Sequence, residues 1–204
     1  MTTDERPLVL AITGASGAVY ARRLLEVLVD IGHEVHLTIS PAAKIVLAEE
    51  LDIEVDLDNF NLATLLPELS SEGTSGVHYH HYTDFMAPAA SGSALTRGMV
   101  VCPCSGGTLS AIVHGTSGNL IHRAAEVHLK ENRRLVVVPR ETPLSMVHLE
   151  NMTKAGELGA IVLPASPGWY HGVKQLSDLV DFIVARILDQ FEIEHNLMRR
   201  WGDE

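Results

Sequence analysis

The first residues able to do chemistry are Gly14-Ala-Ser-Gly17, set between an apolar run, Pro7 to Thr13, and a segment of helical periodicity. A strand that ends in a Gly/Ser turn and leads straight into a helix aims several backbone N–H groups and the positive helix end at one small space. An anionic group can sit there. The spacing is not that of G-x-G-x-x-G. Ser40 stands where a dinucleotide site would carry an acid for a ribose 2′-hydroxyl, so a mononucleotide fits better than NAD. A serine-hydrolase elbow fails because position 18 is alanine. Tight strand–helix packing alone would also ask for such a turn.

Cys104-Ser-Gly-Gly-Thr108 repeats the pattern: a strand, a small hydroxyl-and-glycine turn, a helix. Such a turn lets a bulky ligand approach the backbone. Arg140 and Glu141 lie just past another strand, and an arginine there can fork onto a phosphate, or simply pair with its neighbour. Arg123, Lys130 and Arg186 are further cations on helices, where solvation is the ordinary role. Trp169 and Tyr170 can wall an apolar or planar ligand or merely pack a loop. Cys102 and Cys104 supply two of the about four ligands zinc wants, so buried, inert thiols are expected. His78, His80 and His81, with Tyr79 and Tyr82, read as a polar loop or subunit contact. Glu49 and Glu50 read as a solvated helix-end pair.

Strand and helix patterns alternate to position these groups. Residues 7–13 read as a strand and 18–31 as a helix, with Val19, Leu24, Leu25, Val27 and Leu28 on its apolar side. Glu34–Ile39 is a strand, and Pro41 opens a helix to about Leu51. Residues 52–97 are less regular, with a Ser/Gly patch at 70–76 and a short strand near Val77–Tyr79. Strands at Gly98–Cys102, Arg134–Val138 and Ala160–Leu163 alternate with helices at 105–113, Leu120–Lys130, 145–157 and 175–190. The expectation is one α/β domain over residues 1–204. It is a Rossmann-like (flavodoxin-like) doubly wound parallel sheet with helices on both faces, and a tail from about 191 to 204 packs over the active site. Ligands of such sheets bind at the carboxyl ends of the strands.

The 204 residues suffice for a real core, and the formal charge of −11 repels nucleic acid and anionic membranes. No apolar run approaches the ~18 residues of a membrane span. The short polar start leaves no room for a signal peptide, and two cysteines suit a reducing compartment, so a cytoplasmic location is expected.

Together these segments resemble the flavin prenyltransferase (UbiX) family, within the class of homo-oligomeric flavin-containing Cys decarboxylases. The likeness runs through Thr13-Gly-Ala-Ser-Gly-Ala18, Ile39-Ser-Pro-Ala-Ala43, Ala90-Ser-Gly-Ser93, Cys102-Pro-Cys-Ser105, Leu120 to Lys130, Val138-Pro-Arg-Glu-Thr-Pro143, His148-Leu-Glu-Asn-Met152, Tyr170-His171 and Arg200-Trp-Gly202. The Pro-x-Met-Asn-x-x-Met-Trp segment of phosphopantothenoylcysteine decarboxylases is missing. The resemblance implies FMN contacts from Gly14, Ala15, Ser16, Ser40, Ser105, Gly106, Gly107, Thr108 and Arg140. It implies dimethylallyl phosphate contacts from Ala90, Ser91, Gly92, Arg123, Lys130, Arg140, Glu141, Tyr170 and Arg186, with Trp201 closing over the site. Ser16 and Glu50 would handle protons, and Lys130, Arg140, Glu141 and Tyr170 would join them in catalysis. Gly106 and Gly107 depart from members that carry larger residues there, which leaves only backbone contacts.

The implied reaction joins the dimethylallyl group to N5 and C6 of reduced FMN. Prenylated FMN then goes to a separate UbiD-type decarboxylase. Clustered arginines replace the magnesium used with diphosphates, so no metal is implied. The resemblance also implies a homo-oligomer, a dodecamer built from trimers. The competing readings are an FMN-binding accessory subunit without catalysis and a flavin-dependent decarboxylase.

Overall fold

The computed structural model describes residues 6–68, 76–200 and 202. The strands are β1 (Leu8–Ile12), β2 (Val35–Ile39), β3 (Val77–Tyr79), β4 (Gly98–Cys104), β5 (Leu135–Pro139) and β6 (Ile161–Val162). They form one parallel sheet in the order β3-β2-β1-β4-β5-β6. β1, β4 and β5 are buried at every residue, which is why their sequences are unbroken apolar runs without alternation. The order reverses between β1 and β4, so a crevice opens beyond their carboxyl ends.

Among the described residues, six helices lie between the strands and a seventh follows the last strand. They are α1 (Ala18–Asp30), α2 (Pro41–Leu51), α3 (Leu62–Leu65), α4 (Gly106–Val113), α5 (Leu120–Lys130), α6 (Met146–Glu157) and α7 (Leu176–Gln190). One face of the sheet packs Leu24, Leu25 and Leu28 of α1 against Ile183, Val184 and Ile187 of α7. The other packs Leu109 and Ile112 of α4 against Ile121 and Ala125 of α5. Side chains of Ser40, Ser105, Asn119 and Ser145 each accept the N–H three residues on, at Ala43, Thr108, His122 and His148. These caps explain why four helices start where they do.

Three sequence expectations change. Val19 is 36% exposed rather than on the apolar side of α1. β4 continues through Pro103 to Cys104, with an irregular register between Val101 and Cys104 that a plain apolar count misses. The less regular region contains the single turn α3 and a 3-10 turn at Pro88–Ala90. The Ser/Gly patch at 70–76 lies, apart from Gly76, outside the described residues.

Candidate active site

The two Gly/Ser turns meet at the crevice, and Thr13 ties them together. Its buried hydroxyl donates to the Pro103 carbonyl (2.6 Å) and accepts the Ser105 N–H (2.9 Å). The N-terminal ends of α1, α2 and α4 therefore open on the same edge of the sheet, after β1, β2 and β4. The side chains of Ser40 and Ser105 are engaged as caps, and Ser105 also donates to Thr108 Oγ1 (3.0 Å). What α4 offers a ligand is thus mainly the first-turn amides of Gly106 and Gly107, which have no carbonyl partner inside the helix.

The N-terminus of α1 is not an open anion site. The Glu50 carboxylate, arriving from the end of α2, fills it. Gly17 N–H donates to both Glu50 oxygens (3.1 and 2.9 Å), and Ala18 N–H donates to Oε2 (2.9 Å). Gly17 stands at φ +111°, a conformation that costs a side-chain-bearing residue dearly, and this orients its N–H. A side chain at Gly14 would run into Ala42 of α2. The expected anion at this turn is therefore the protein's own carboxylate, which neither helix-end solvation nor a free phosphate site describes.

Glu50 also hydrogen-bonds the Ser16 side chain, and Arg140 lies close enough to act on it electrostatically. Burial pushes the Glu50 carboxyl up. The bonds from Ser16, Gly17 and Ala18 and the charge of Arg140 outweigh that, and hold it below the ordinary carboxylate range. Arg140 Nε–H donates to the Ser16 carbonyl (3.1 Å), which fixes the guanidinium beside the turn. Tyr20, one turn into α1, is raised above the ordinary phenol range by burial and the Cys102 thiol, against the opposing charge of Arg140. Ser16, Glu50 and Arg140 are thus brought together. Thr13 and Tyr20 are neighbours that sequence reasoning missed, since nothing in their spacing marks them.

Across the crevice, a side chain at Gly106 would meet the His148 ring, with Nε2 2.8 Å from the added carbon. His148 belongs to the capping box of α6, its Nδ1 accepting the Ser145 N–H (3.2 Å). Around Gly107 there is open space. Two helix N-termini, a glycine cradle open at Gly107 and a fixed guanidinium are a donor set that suits the phosphate and carbonyl oxygens of a flavin mononucleotide.

Other expected residues stand elsewhere on the same chain. Glu141 is exposed next to Arg140 and accepts the Thr142 N–H (3.3 Å). Tyr170 is 56% exposed on the loop after β6 and packs edge-on against Phe182, its ring centre 5.7 Å away. Ala90, Ser91 and Gly92 run beside α5. Arg123 Nε–H donates to the Ala90 carbonyl (3.1 Å), Arg133 donates to the Gly92 carbonyl, and Lys130 pairs with Glu131 (3.3 Å). Lys130 ends α5 only five residues before β5 begins, at the amino edge of the sheet. The five-residue β5 spans about 16 Å, so Lys130 and Arg140 lie on opposite edges. Arg186 pairs with Asp189 (2.7 Å) on α7. The tail through Arg200 borders one cavity with Arg23, Val27, Asp30 and Ile31, toward the end of α1 away from the turn. Trp201 lies outside the described residues.

The remaining motifs resolve structurally. Cys102 and Cys104 are buried, and burial raises both thiols, Cys104 to about 12. The histidine cluster gains His36 of β2, whose Nδ1 lies 2.6 Å from His80 Nε2 with the rings stacked, while His78 contacts Glu34 (3.3 Å). Burial and the neighbouring His80 and His78 push His36 down to about 4.

A doubly wound parallel sheet with a flavin-compatible crevice at its switch point defines a flavoprotein of the α/β class. The Flavoprotein family profile matches residues 1–188. The flavin prenyltransferase UbiX of Pseudomonas aeruginosa is 48% identical over 204 residues, covering 100% of this chain and 97% of that protein. The structure of AnUbiX in complex with FMN and dimethylallyl pyrophosphate superposes with TM-score 0.85 at 36% identity, covering 98% and 99% of the two chains. A dodecameric FMN-dependent UbiX-like decarboxylase from Escherichia coli superposes with TM-score 0.81 at 37% identity, covering 97% and 100%. The chain belongs to the UbiX flavin prenyltransferase family.

Proposed function

We propose that this protein joins the dimethylallyl group of dimethylallyl phosphate to N5 and C6 of reduced FMN, giving prenylated FMN for a separate UbiD-type decarboxylase in the cytoplasm. The observation that carries the reading is the Ser16–Glu50–Arg140 constellation at the switch point. FMN supplies the nucleophilic ring atoms; the protein supplies position, charge and proton transfer.

The Gly106 and Gly107 amides, the Ser40 turn and Arg140 hold the flavin. Departure of an allylic phosphate separates charge, leaving a cation-like allyl group beside an anion. Arg140 meets the anion, with a fork geometry that a single point charge lacks. Glu50 is ionised at neutral pH and linked to the Ser16 hydroxyl, so the pair moves the proton that ring closure releases. A carboxylate held below its usual range is a weak terminal acceptor. The proton therefore passes on to the departing inorganic phosphate, whose second ionisation lies well above the carboxylate range and makes it the stronger base.

Arg123, Lys130, Arg186 and Tyr170 complete the phosphate clamp and the allyl wall by juxtaposition of copies in a homo-oligomer. The separation of Lys130 from Arg140 within one chain supports that arrangement, as does the dodecameric state of the Escherichia coli relative. The test is anaerobic incubation of the oligomer with reduced FMN and dimethylallyl phosphate, followed by mass and absorbance of the extracted flavin. A gain of one dimethylallyl unit supports the reading. Unchanged FMN overturns it in favour of a carrier subunit.

A further inference from the structure

The end of α7 carries a carboxylate with three separate donors. Asp189 Oδ2 accepts Arg186 Nη1 (2.7 Å), while Oδ1 accepts Arg200 Nη2 (2.8 Å) and His195 Nε2 (3.1 Å). The roles at His195 are fixed by its other nitrogen. Nδ1 accepts the Leu197 N–H (3.4 Å), so the proton sits on Nε2 and points at Asp189. His195 is 2% exposed at its side chain and Asp189 15%. Such a network, partly out of water and shared by three donors, differs from a single exposed pair. Burial pushes the Asp189 carboxyl up, but the bonds from Arg200 and His195 hold it below the ordinary range, so it is ionised at neutral pH.

The geometry explains how the tail leaves the helix. The chain turns at Phe191 and Glu192, Glu192 with φ 56°, and Ile193 N–H returns to the Leu188 carbonyl (3.1 Å). Leu197 and Met198 then rest on the core face shared by α1 and α7. Asp189 is the polar point that holds this strap at both ends, through His195 near its start and Arg200 near its finish.

We infer that Asp189 is a positioning residue for prenyl transfer: it fixes the C-terminal tail against α7 and sets the guanidinium of Arg186. The inference rests on the reading of Arg186 as part of the phosphate clamp. Loss of the Asp189 charge frees both, while the Gly14–Gly17 and Ser105–Thr108 turns are untouched.

The test uses the full-length oligomer carrying Asp189→Asn, Asp189→Glu and Arg186→Ala. Asp189→Asn keeps an acceptor oxygen but no charge. KM for dimethylallyl phosphate should rise about tenfold or more, the weight of a hydrogen bond to a charged group, with kcat less affected and FMN affinity unchanged. Amide exchange over residues 191–200 should quicken, and Asp189→Glu should restore part of both effects. Unchanged exchange in Asp189→Asn overturns the anchoring itself. Faster exchange with unchanged KM overturns the positioning role. If Arg186→Ala also leaves KM unchanged, the failure belongs to the clamp reading and not to the anchor.

Discussion

Replacing Glu50 by glutamine separates the task the carboxylate performs in the fold, capping α1, from the one proposed for it, relaying a proton. The capping loss is small. Glutamine keeps one acceptor oxygen for the Gly17 and Ala18 amides, and substitution of a helix cap costs about 0.5–2 kcal/mol, toward the lower end at an exposed position such as this. Against a folding free energy of about 5–15 kcal/mol the variant stays folded. A chain of this size should lose about 2–4 °C of Tm for each kcal/mol. The catalytic loss is larger, since general-base removal commonly costs about 10²–10⁴ in rate, or roughly 3–5 kcal/mol. A loss of up to about 2 kcal/mol from at least about 5 leaves nearly all molecules folded, so a rate deficit beyond tenfold cannot be a stability effect. The assay follows inorganic phosphate release and the absorbance of the finished product in parallel under anaerobic conditions. Glu50→Gln should bind both substrates and release phosphate while product formation lags by at least a hundredfold. Glu49→Gln, at an exposed neighbouring position, should match wild type. Because the Glu50 carboxyl is held below its usual range, the wild-type relay is fully ionised at neutral pH and is lost only as pH falls through that depressed value. Product formation at the wild-type rate in Glu50→Gln would refute the relay and leave Glu50 as a cap alone.

Three further outcomes are expected. Arg140→Ala should lower kcat/KM for dimethylallyl phosphate by about 10- to 150-fold, the value of one charged hydrogen bond, and Arg140→Lys should recover only part because a point charge cannot fork. Full activity in Arg140→Ala would remove it from the site. Burial, helped by the charge of Arg133, holds His128 down to about 4 despite its bond to the Ala124 carbonyl, so it is neutral in the fold. Stability should be full above about pH 6.5, where the unfolded histidine is also neutral, and should fall by about 2–3 kcal/mol as pH drops toward 4; urea melts of wild type and His128→Gln check this, the variant showing a shallower fall. Thr13→Val keeps the shape but strands the Pro103 carbonyl and the Ser105 N–H. That costs about 1–3 kcal/mol, with weakened FMN binding by fluorescence quenching; unchanged affinity would show that the two turns need no tie.

The order of strands and helices was legible because parallel strands buried on both faces read as apolar runs and their helices start at polar caps. α5 begins and ends where its sequence says, after Asn119 and at Lys130. The site was legible in pieces. Gly14–Gly17 and Ser105–Thr108 announce themselves as turns, but the bond that joins them comes from Thr13, an ordinary residue by type. Glu50 has no local signature, because its partners at Gly17 and Ala18 lie more than thirty positions earlier. His36 could not be joined to His78 and His80 without the parallel register of β2 and β3, which only the folded sheet supplies. Such contacts span long stretches of chain, and periodicity reports only on short ones.

In the proposed reaction, the occupation of the α1 N-terminus by Glu50 bears directly on how an allylic phosphate is cleaved. Departure of the phosphate creates two opposite charges a few ångströms apart, and water would have to reorganise around both. In this crevice the negative pole is already in place, held by two backbone amides and the helix dipole so that it cannot swing away. The positive pole, Arg140, is fixed to the same turn through the Ser16 carbonyl. In the proposed reaction a cation-like allyl group and an anionic leaving group would thus find matched partners whose orientation is settled before the reaction begins. That pre-set dipole, and not mere proximity of charge, is what lowers a charge-separating barrier. A free phosphate site at α1 would place a mobile second anion there; a carboxylate on a tether of protein keeps that negative charge in one place throughout the proposed reaction.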